Sequence, residues 1–217
     1  MNAQLISTFL LLVLIHFVLF SFVEWFAHRY LMHRKSLPSL LYRARAYFTD
    51  VYKNHAILHH RKFYKIYDHE TDSVGRELNL RFVWTDYFVT NLIFIPIHCL
   101  YLWYLPIGSA SLAFMLLCYM FLWNHLHTEM HIPSNRWFFR NPVFRFLNRH
   151  HFLHHCHPGR NFNVVIPIAD YLFGTATRAS KLEKQMMQKL GLFSNLRGPA
   201  HREELPGGGA SASTIPD

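Results

Sequence analysis

Seventeen histidines in a chain of 217 residues are the feature with the clearest chemical meaning. Ten of them fall into four compact clusters: His28 and His33; His55, His59 and His60; His127 and His131; His151, His154 and His155. Imidazole is the commonest metal ligand in proteins near neutral pH. Clustered imidazoles without a metal repel one another when protonated and need buried partners when neutral. The clustering therefore predicts that these ten side chains ligate metal.

The two C-terminal clusters have the spacing of helix faces. Residues at i, i+3 and i+4 share one face of a helix, so His151, His154 and His155 are expected to project toward one point. His127 and His131, four residues apart, are likewise expected to share a face. Three imidazoles on one face make half of a two-metal site.

The two N-terminal clusters fit an α-helix less simply. A step of five residues turns about 140° on an ideal helix. His28 and His33 therefore converge only if the helix ends near His33, which the nearby Pro38 permits. In the second cluster, His55 and His59 are expected to share a face.

Ligation by nitrogen alone narrows the choice of metal. Calcium and magnesium prefer oxygen ligands, whereas imidazole suits zinc, copper, iron and nickel. A hydrolytic zinc enzyme would need an open coordination position and a nearby base, and the chain has no HExxH motif. Oxidation of an unactivated C–H bond needs a redox metal and dioxygen. We therefore expect two iron ions, with zinc as a surrogate in purified samples.

Three apolar runs indicate membrane spans. The first, Leu5 to Val23, has 19 residues without a formal charge, and about 20 apolar residues suffice to cross a bilayer. No basic residue precedes it and no small-x-small cleavage site follows, which favours an uncleaved span over a signal peptide. The second runs from Phe82 to Tyr104 and contains Asp86 and Pro96.

The third run, Leu112 to Trp123, is long enough to cross when Ile107 onward is included, and it extends toward His131. Residues 105–111 between the second and third runs are expected to form a tight, uncharged connection. The segments after the first and third runs are rich in Lys and Arg, and this connection has none. The positive-inside rule then places the N-terminus outside and all four histidine clusters on the cytoplasmic side.

The remaining chain suggests a single domain with a tail. Residues 1–199 are expected to form the membrane-embedded unit, residues 180–192 within it a polar-faced helix, and residues 200–217 a flexible tail. The fold class expected is an all-α integral membrane bundle of about three spans plus interfacial helices, with a cytoplasmic di-metal site. One interfacial helix is predicted from apolar residues at helical spacing, namely Leu37, Leu40, Leu41, Ala44 and Phe48. The formal charge of +9 follows this topology and does not indicate nucleic acid.

Other polar residues near the clusters have supporting roles in this interpretation. His16 and His98 lie within spans and are expected to make structural hydrogen bonds there. Residues adjacent to the ligands are expected to surround the metal site: His125, His150 and His157. Six polar side chains are candidates for orienting ring N–H groups, with a helix cap or a surface charge as the alternative for each: Glu24, Asp50, Asn54, Asn124, Glu129 and Asp170.

In this order, the four motifs resemble those of the fatty acid hydroxylase superfamily, which includes sphingolipid fatty acid 2-hydroxylases, methylsterol oxidases, sterol desaturases and carotenoid hydroxylases. The resemblance runs from Glu24 to Thr175 and includes Asn161-Phe162 and the segment 170–175. It implies a membrane-embedded helical protein with two irons, the ten histidines as ligands, and activation of dioxygen. One departure is the second cluster, where three residues separate His55 from His59 and the family usually has two. His55 is therefore the ligand that another group, Asn54 or a water, could replace.

The function expected is an oxidoreductase, an O2-dependent di-iron hydroxylase of an aliphatic C–H bond in a lipid: fatty acyl, sphingolipid, sterol or carotenoid. No catalytic residue beyond the metal ligands is expected. The alternatives are a desaturase using the same site and a non-oxidative membrane protein that binds or transports metal. A transporter holds its ligands near the bilayer midplane, commonly at a repeat interface, whereas these clusters follow the apolar runs.

The chain has no glycine-rich dinucleotide fingerprint, so the electrons are expected from a separate cytochrome b5-, ferredoxin- or reductase-like donor. The expected location is the endoplasmic reticulum or a bacterial inner membrane.

Overall fold

The computed structural model describes residues 3–36, 38, 39, 42, 46–60, 81–132 and 136–193. All regular secondary structure in these residues is helical, which confirms the all-α class for this part of the chain. The elements are α1 (Ala3–Ala27) continuing into a π-helical turn, π1 (His28–Met32); α2 (Ala46–Tyr52) continuing into π2 (Lys53–His59); α3 (Trp84–Ile93); α4 (Ile95–Tyr104); α5 (Pro106–His131); α6 (Arg136–Arg140); α7 (Pro142–Cys156); α8 (Ile168–Leu172); and α9 (Lys181–Lys189).

Some of the predicted elements lie outside the described residues. These are the tail 200–217 and, from the predicted interfacial helix, Leu37, Leu40, Leu41 and Ala44. Phe48 of that set lies in α2.

In the described part of the chain, two helices are long and apolar enough to cross a bilayer, the continuous 30-residue helix Ala3–Met32 and the 26-residue α5. α3 and α4 qualify together as a third span, but the chain bends by 62° between them. The bend lies at Phe94, where the backbone leaves helical geometry. Pro96 explains it, because a proline has no N–H for the carbonyl four residues earlier and its ring crowds that carbonyl. The predicted second run is therefore helical but broken.

The connection predicted at 105–111 is tight and uncharged, but its predicted bounds are wrong. Leu105 alone separates α4 from α5, and Pro106 is the first residue of α5, a position where the missing proline N–H costs no helical hydrogen bond. The tight junction needs Gly108, because any Cβ at this position would collide with the ring of Tyr101.

Hydrogen bonds inside the apolar region hold the long helices together. His16 Nε2 lies 2.9 Å from the Tyr101 hydroxyl on α4, and His16 Nδ1 lies 3.2 Å from Ser111 Oγ on α5. His98 Nδ1 lies 2.8 Å from Ser109 Oγ. Both histidines make the structural hydrogen bonds that the sequence predicted.

α1 packs along α5. Phe9 contacts Phe114, and nearer the C-terminal end of α1 both Phe20 and Glu24 contact Tyr119. The C-terminal ends of the two candidate spans therefore lie together. Since His28 follows α1 and His131 ends α5, the packing of the two longest helices already brings two of the four clusters to one end.

Local signals in the sequence set the bounds of the helices near the C-terminus. The side chain of Asn141 accepts a hydrogen bond from the Val143 N–H and caps α7. Ser180 and Glu183 form a capping box at the start of α9, which confirms the polar helix predicted within residues 180–192. Met187 on α9 is buried, and α9 packs against α7.

Candidate metal centre

The ten predicted histidines come together as two adjacent groups of five. The first group is His28, His33, His55, His60 and His154, and the second group is His59, His127, His131, His151 and His155. Within each group the potential ligand atoms all lie within 4.8 Å of one another. Nine of the ten side chains are buried and His33 is half-buried. The groups touch, since the rings of His60 and His155 stack with their centroids 4.4 Å apart.

The two π-helical segments explain how the N-terminal clusters converge. The His33 N–H donates to the His28 carbonyl at 3.0 Å, and the His60 N–H donates to the His55 carbonyl. Both are bonds from residue i+5 to residue i, the pattern of a π-helix, which is frequent at functional sites. The wider turn places residues five apart on one face. His28 and His33 therefore share the first group, as do His55 and His60.

This geometry corrects the expected pairing of the second cluster. The rings of His55 and His59 stack with their centroids 5.0 Å apart, as expected for a shared face, but His59 belongs to the second group. The sequence allowed Asn54 or a water to replace His55 as a ligand. In the structure, however, His55 is 2% exposed and its Nε2 lies 2.8 Å from His28 Nε2.

The C-terminal clusters also divide differently from the prediction. His127 and His131 share the second group, as expected for residues four apart. On α7, His151 and His155 join them, whereas His154 points to the first group. The expectation that all three would meet at one point is therefore wrong. α7 instead runs between the groups and contributes to both.

The spacing of the nitrogens fits bound metal ions. Opposed Nε2 atoms lie 3.0 Å apart for His33 and His154, 3.0 Å for His131 and His151, and 3.2 Å for His151 and His155. Two nitrogens at about 2.1 Å from a metal and at right angles to each other lie about 3.0 Å apart. Each group therefore has the dimensions of one imidazole-ligated ion.

Backbone carbonyls select the tautomer that a metal needs. His28 Nδ1 donates to the carbonyl of Phe162, and His154 Nδ1 donates to the carbonyl of Arg160 at 2.7 Å. A neutral imidazole carries only one N–H, so the Nε2 of each ring is left with its lone pair facing the group. Fixing the ring through its other nitrogen is the usual support of a metal-ligating histidine.

His60 gives a further indication of a missing partner. Its side chain is 5% exposed, and neither ring nitrogen has a hydrogen-bond partner among the described residues. A buried polar group without a partner costs about 1 to 3 kcal/mol. A metal ion held by the first group would remove that cost.

Burial keeps these imidazoles neutral. It is the first cause, and the charge of neighbouring imidazoles the second, of a pKa well below the usual value for His55, His59, His60, His151 and His155. Burial also lowers the pKa of His154, to about 4. Neutral imidazole is the form that binds a metal, so at neutral pH the centre offers lone pairs.

Asp170 was predicted to orient a ligand ring, but it instead holds the loop next to the first group. Its Oδ1 accepts from the Phe162 N–H at 2.9 Å, and its Oδ2 accepts from the Asn163 N–H at 2.7 Å and from His150 Nε2 at 3.0 Å. Burial alone would raise the pKa of Asp170, but the hydrogen bonds, first from His150, hold that pKa below its usual value. Asp170 thus fixes the loop whose Phe162 carbonyl orients His28.

Glu24 anchors the same loop to the long helices. Its Oε1 accepts from the Val164 N–H at 2.7 Å, and its Oε2 accepts from the Tyr119 hydroxyl at 2.6 Å and the Asn163 amide at 3.1 Å. Glu24 therefore connects α1, α5 and residues 163–164. It contacts the loop rather than a ligand ring.

The other residues that were predicted to surround or orient the ligands lie in different parts of the structure. Asn124 bonds the backbone of Phe82 through both ends of its amide and secures the start of α3 to α5. Glu129 is buried on α5, and His125 is exposed. His157 pairs with Glu183 at 2.6 Å, away from both groups.

A cavity of about 300 Å³ lies beside the first group, between α1, α2, α3 and α5. Its wall is largely apolar and includes Phe20, Leu116 and Met120. Of the ten histidines, His28 and His55 line it. Asp50 and Asn54, predicted to orient ring N–H groups, also line this cavity.

Sequence reasoning missed the carbonyls of Phe162 and Arg160, because a backbone group leaves no signal in side-chain identity. It also gave no structural role to Asn161. This residue has φ of 54°, in the left-handed region that asparagine tolerates better than most residues. Its side chain bonds the His150 carbonyl at 3.0 Å and the Thr177 N–H at 2.7 Å, and thereby shapes the loop at its start.

Comparison of the chain with protein-family models, curated proteins and solved structures found no match.

Proposed function

We propose that this protein is a membrane-bound, di-iron, O2-dependent oxidoreductase that hydroxylates an aliphatic C–H bond of a lipid. The observation that carries the proposal is the pair of adjacent five-histidine groups, one of which borders an apolar cavity. The order of the histidine motifs and their resemblance to the fatty acid hydroxylase superfamily support it.

The reaction balances with one external two-electron donor. A C–H bond, O2, two electrons and two protons give a C–OH bond and water. Bound iron would supply the redox chemistry that imidazole and carboxylate lack. Desaturation is the alternative on the same site: removal of hydrogen from two neighbouring carbons gives an alkene and two waters from the same O2 and electrons.

The chain's own groups would hold and shield the centre. Ten imidazoles would provide the ligand atoms, and the Phe162 and Arg160 carbonyls orient two of them. Asp170 and Glu24 keep the supporting loop in place. Burial of the rings keeps bulk water away from the reacting carbon, which protects reactive intermediates from side reactions.

In this proposal, α1, the bent α3–α4 pair and α5 form three spans with the N-terminus outside, and the centre lies on the cytoplasmic side. The distribution of Lys and Arg in the sequence supports this orientation. The electrons come from a separate donor such as a cytochrome b5-, ferredoxin- or reductase-like protein. The location proposed is the endoplasmic reticulum or a bacterial inner membrane.

The experiment is lipid mass spectrometry under isotopically labelled dioxygen, in cells with the wild-type chain or a variant. We expect one lipid class to gain a single labelled oxygen, and we expect His155→Ala to abolish that product. His157→Ala is the matched control, because this histidine lies two residues away but outside both groups. Unlabelled alkene in place of alcohol would favour the desaturase. Metal flux across vesicles without oxygen uptake would contradict the proposal.

A further inference from the structure

The cavity meets the two histidine groups unequally. Both histidines in its wall, His28 and His55, belong to the first group. The helix α7, which gives two histidines to the second group, does not contribute to the described wall. A molecule in the cavity would therefore reach the first group and be separated from the second by the imidazoles themselves.

The shape of the wall suits a chain lying along the helices. On α1 and π1 the lining residues run from Phe20 to Met32, which includes His28. At 1.5 Å per residue, Phe20 lies about 12 Å from His28 along the helix axis. A volume of about 300 Å³ holds about ten chain carbons, if each occupies about the 30 Å³ of a liquid water. Phe20, Leu116 and Met120 are buried around the end of the cavity that is distant from His28, so the cavity offers apolar contact along its length.

Among the charged side chains of the described wall, Glu24, Asp50 and Asp86 are acidic and Arg81 is basic. The hydroxyl of Tyr47 on α2 donates to Asp86 Oδ1 on α3 at 2.6 Å, which closes a link between two walls. Asp50 also lines the cavity, and Asn54 adds an amide. Arg81 is the basic residue of the described wall, and its Nε bonds Thr128 on α5 at 3.4 Å.

This lining is unfavourable for an anionic head group, because like charges brought together oppose binding. Amide and carboxylate oxygens can accept a hydrogen bond from a hydroxyl or an amide N–H. The chemistry of the cavity therefore discriminates between lipids by the charge of their head groups as well as by their chains.

We propose that the cavity binds one aliphatic chain of a lipid with an uncharged, hydrogen-bonding head group and presents that chain to the first histidine group alone. Asp86 is a specificity-determining residue that disfavours free carboxylates. This inference rests on the proposed function for its chemical purpose, but it concerns binding and needs neither metal nor turnover for its test.

The test is photoaffinity labelling of the full chain in phosphatidylcholine nanodiscs. Two probes of equal chain length carry a diazirine in the chain and end in a hydroxyl or a carboxylate. We expect the hydroxyl probe to label α1, π2 and α3 around the cavity at least about tenfold more than the carboxylate probe at pH 8, and excess unlabelled dodecan-1-ol to suppress the labelling. Asp86→Asn should raise labelling by the carboxylate probe several-fold, whereas Glu183→Gln, a charge removal outside the cavity, should not.

Val89→Trp supplies a steric control, because Val89 lines the cavity, and Leu92→Trp is its match on the exposed face of the same helix. Only the first should reduce labelling. Equal labelling by both probes of the wild-type chain would overturn the inference, and so would crosslinks on α7 in place of α1 and π2. Selective labelling without any oxidation of lipid would refute the proposed function alone, whereas oxidation without cavity labelling would refute this inference alone.

Discussion

Replacing Asp170 by Asn tests whether the loop behind the first group controls metal binding. Asp170 is fully buried and accepts hydrogen bonds through both oxygens. Oδ1 accepts from the Phe162 N–H and Oδ2 from the Asn163 N–H. In asparagine one of these oxygens becomes an NH2 group, so one of the two backbone donors must lose its acceptor.

The expected cost follows from this count. A buried N–H without an acceptor costs about 1 to 3 kcal/mol, and the remaining bonds lose the strength that a charged acceptor provides, about 1 kcal/mol for each. We expect Asp170→Asn to destabilise the protein by about 3 to 5 kcal/mol. For a chain of this size that corresponds to a decrease in Tm of about 10 °C. Because Phe162 orients His28, the affinity of the first group for metal should also fall, by about 10- to 100-fold.

The assays are thermal unfolding followed by circular dichroism and metal competition against a chelator, both in the same detergent. Glu183→Gln is the matched control. Glu183 pairs with His157 at the end of α7, and glutamine keeps an oxygen for the Ser180 N–H that Glu183 accepts. An Asp170→Asn protein that melts within about 2 °C of the wild type and binds metal equally well would refute this account of the loop.

Three further predictions address the two groups and their protonation. The double variant His59→Ala/His155→Ala removes two ligands of the second group and should retain about one metal ion per chain. The double variant His59→Ala/His60→Ala removes one ligand from each group and should retain almost none. Equal metal content in the two proteins would show that the division into two groups is wrong. The metal-free protein should lose stability as the pH falls below 6.5, because histidines of the unfolded chain take up protons there and the buried rings do not. For His154, whose pKa falls to about 4, the loss in free energy of unfolding approaches ~3 kcal/mol. A denaturation midpoint that does not change between pH 7 and 5 would contradict this. His16→Ala should lower the Tm by removing hydrogen bonds between long helices while metal content stays unchanged; metal loss would mean that this histidine contributes to the centre.

Side-chain spacing predicted which histidines assemble, but not how they divide. On α5, a step of four residues from His127 to His131 follows the α-helical repeat, and the two share a group as expected. Steps of five residues lead to His33 and His60, and these join their partners because the helix widens into π1 and π2. An α-helical repeat assumed throughout cannot foresee such a local change, which depends on packing against the other helices.

The elements were predictable where apolar length alone decides, as in α1 and α5. The single apolar run that became α3 and α4 shows the limit, because the effect of Pro96 depends on whether neighbouring helices favour a bend. The support of the centre was the least predictable part. Glu24 and Asp170 were recognised as residues with a role near the ligands, but their partners are backbone groups distant in sequence.

The most direct test of the account is the metal content and coordination of the purified chain after growth with added iron. Elemental analysis should find two metal ions per chain, and X-ray absorption should show nitrogen ligands at about 2.0 to 2.2 Å without sulfur. A folded chain that binds one ion or none, or a coordination shell that contains a cysteine sulfur, would contradict it.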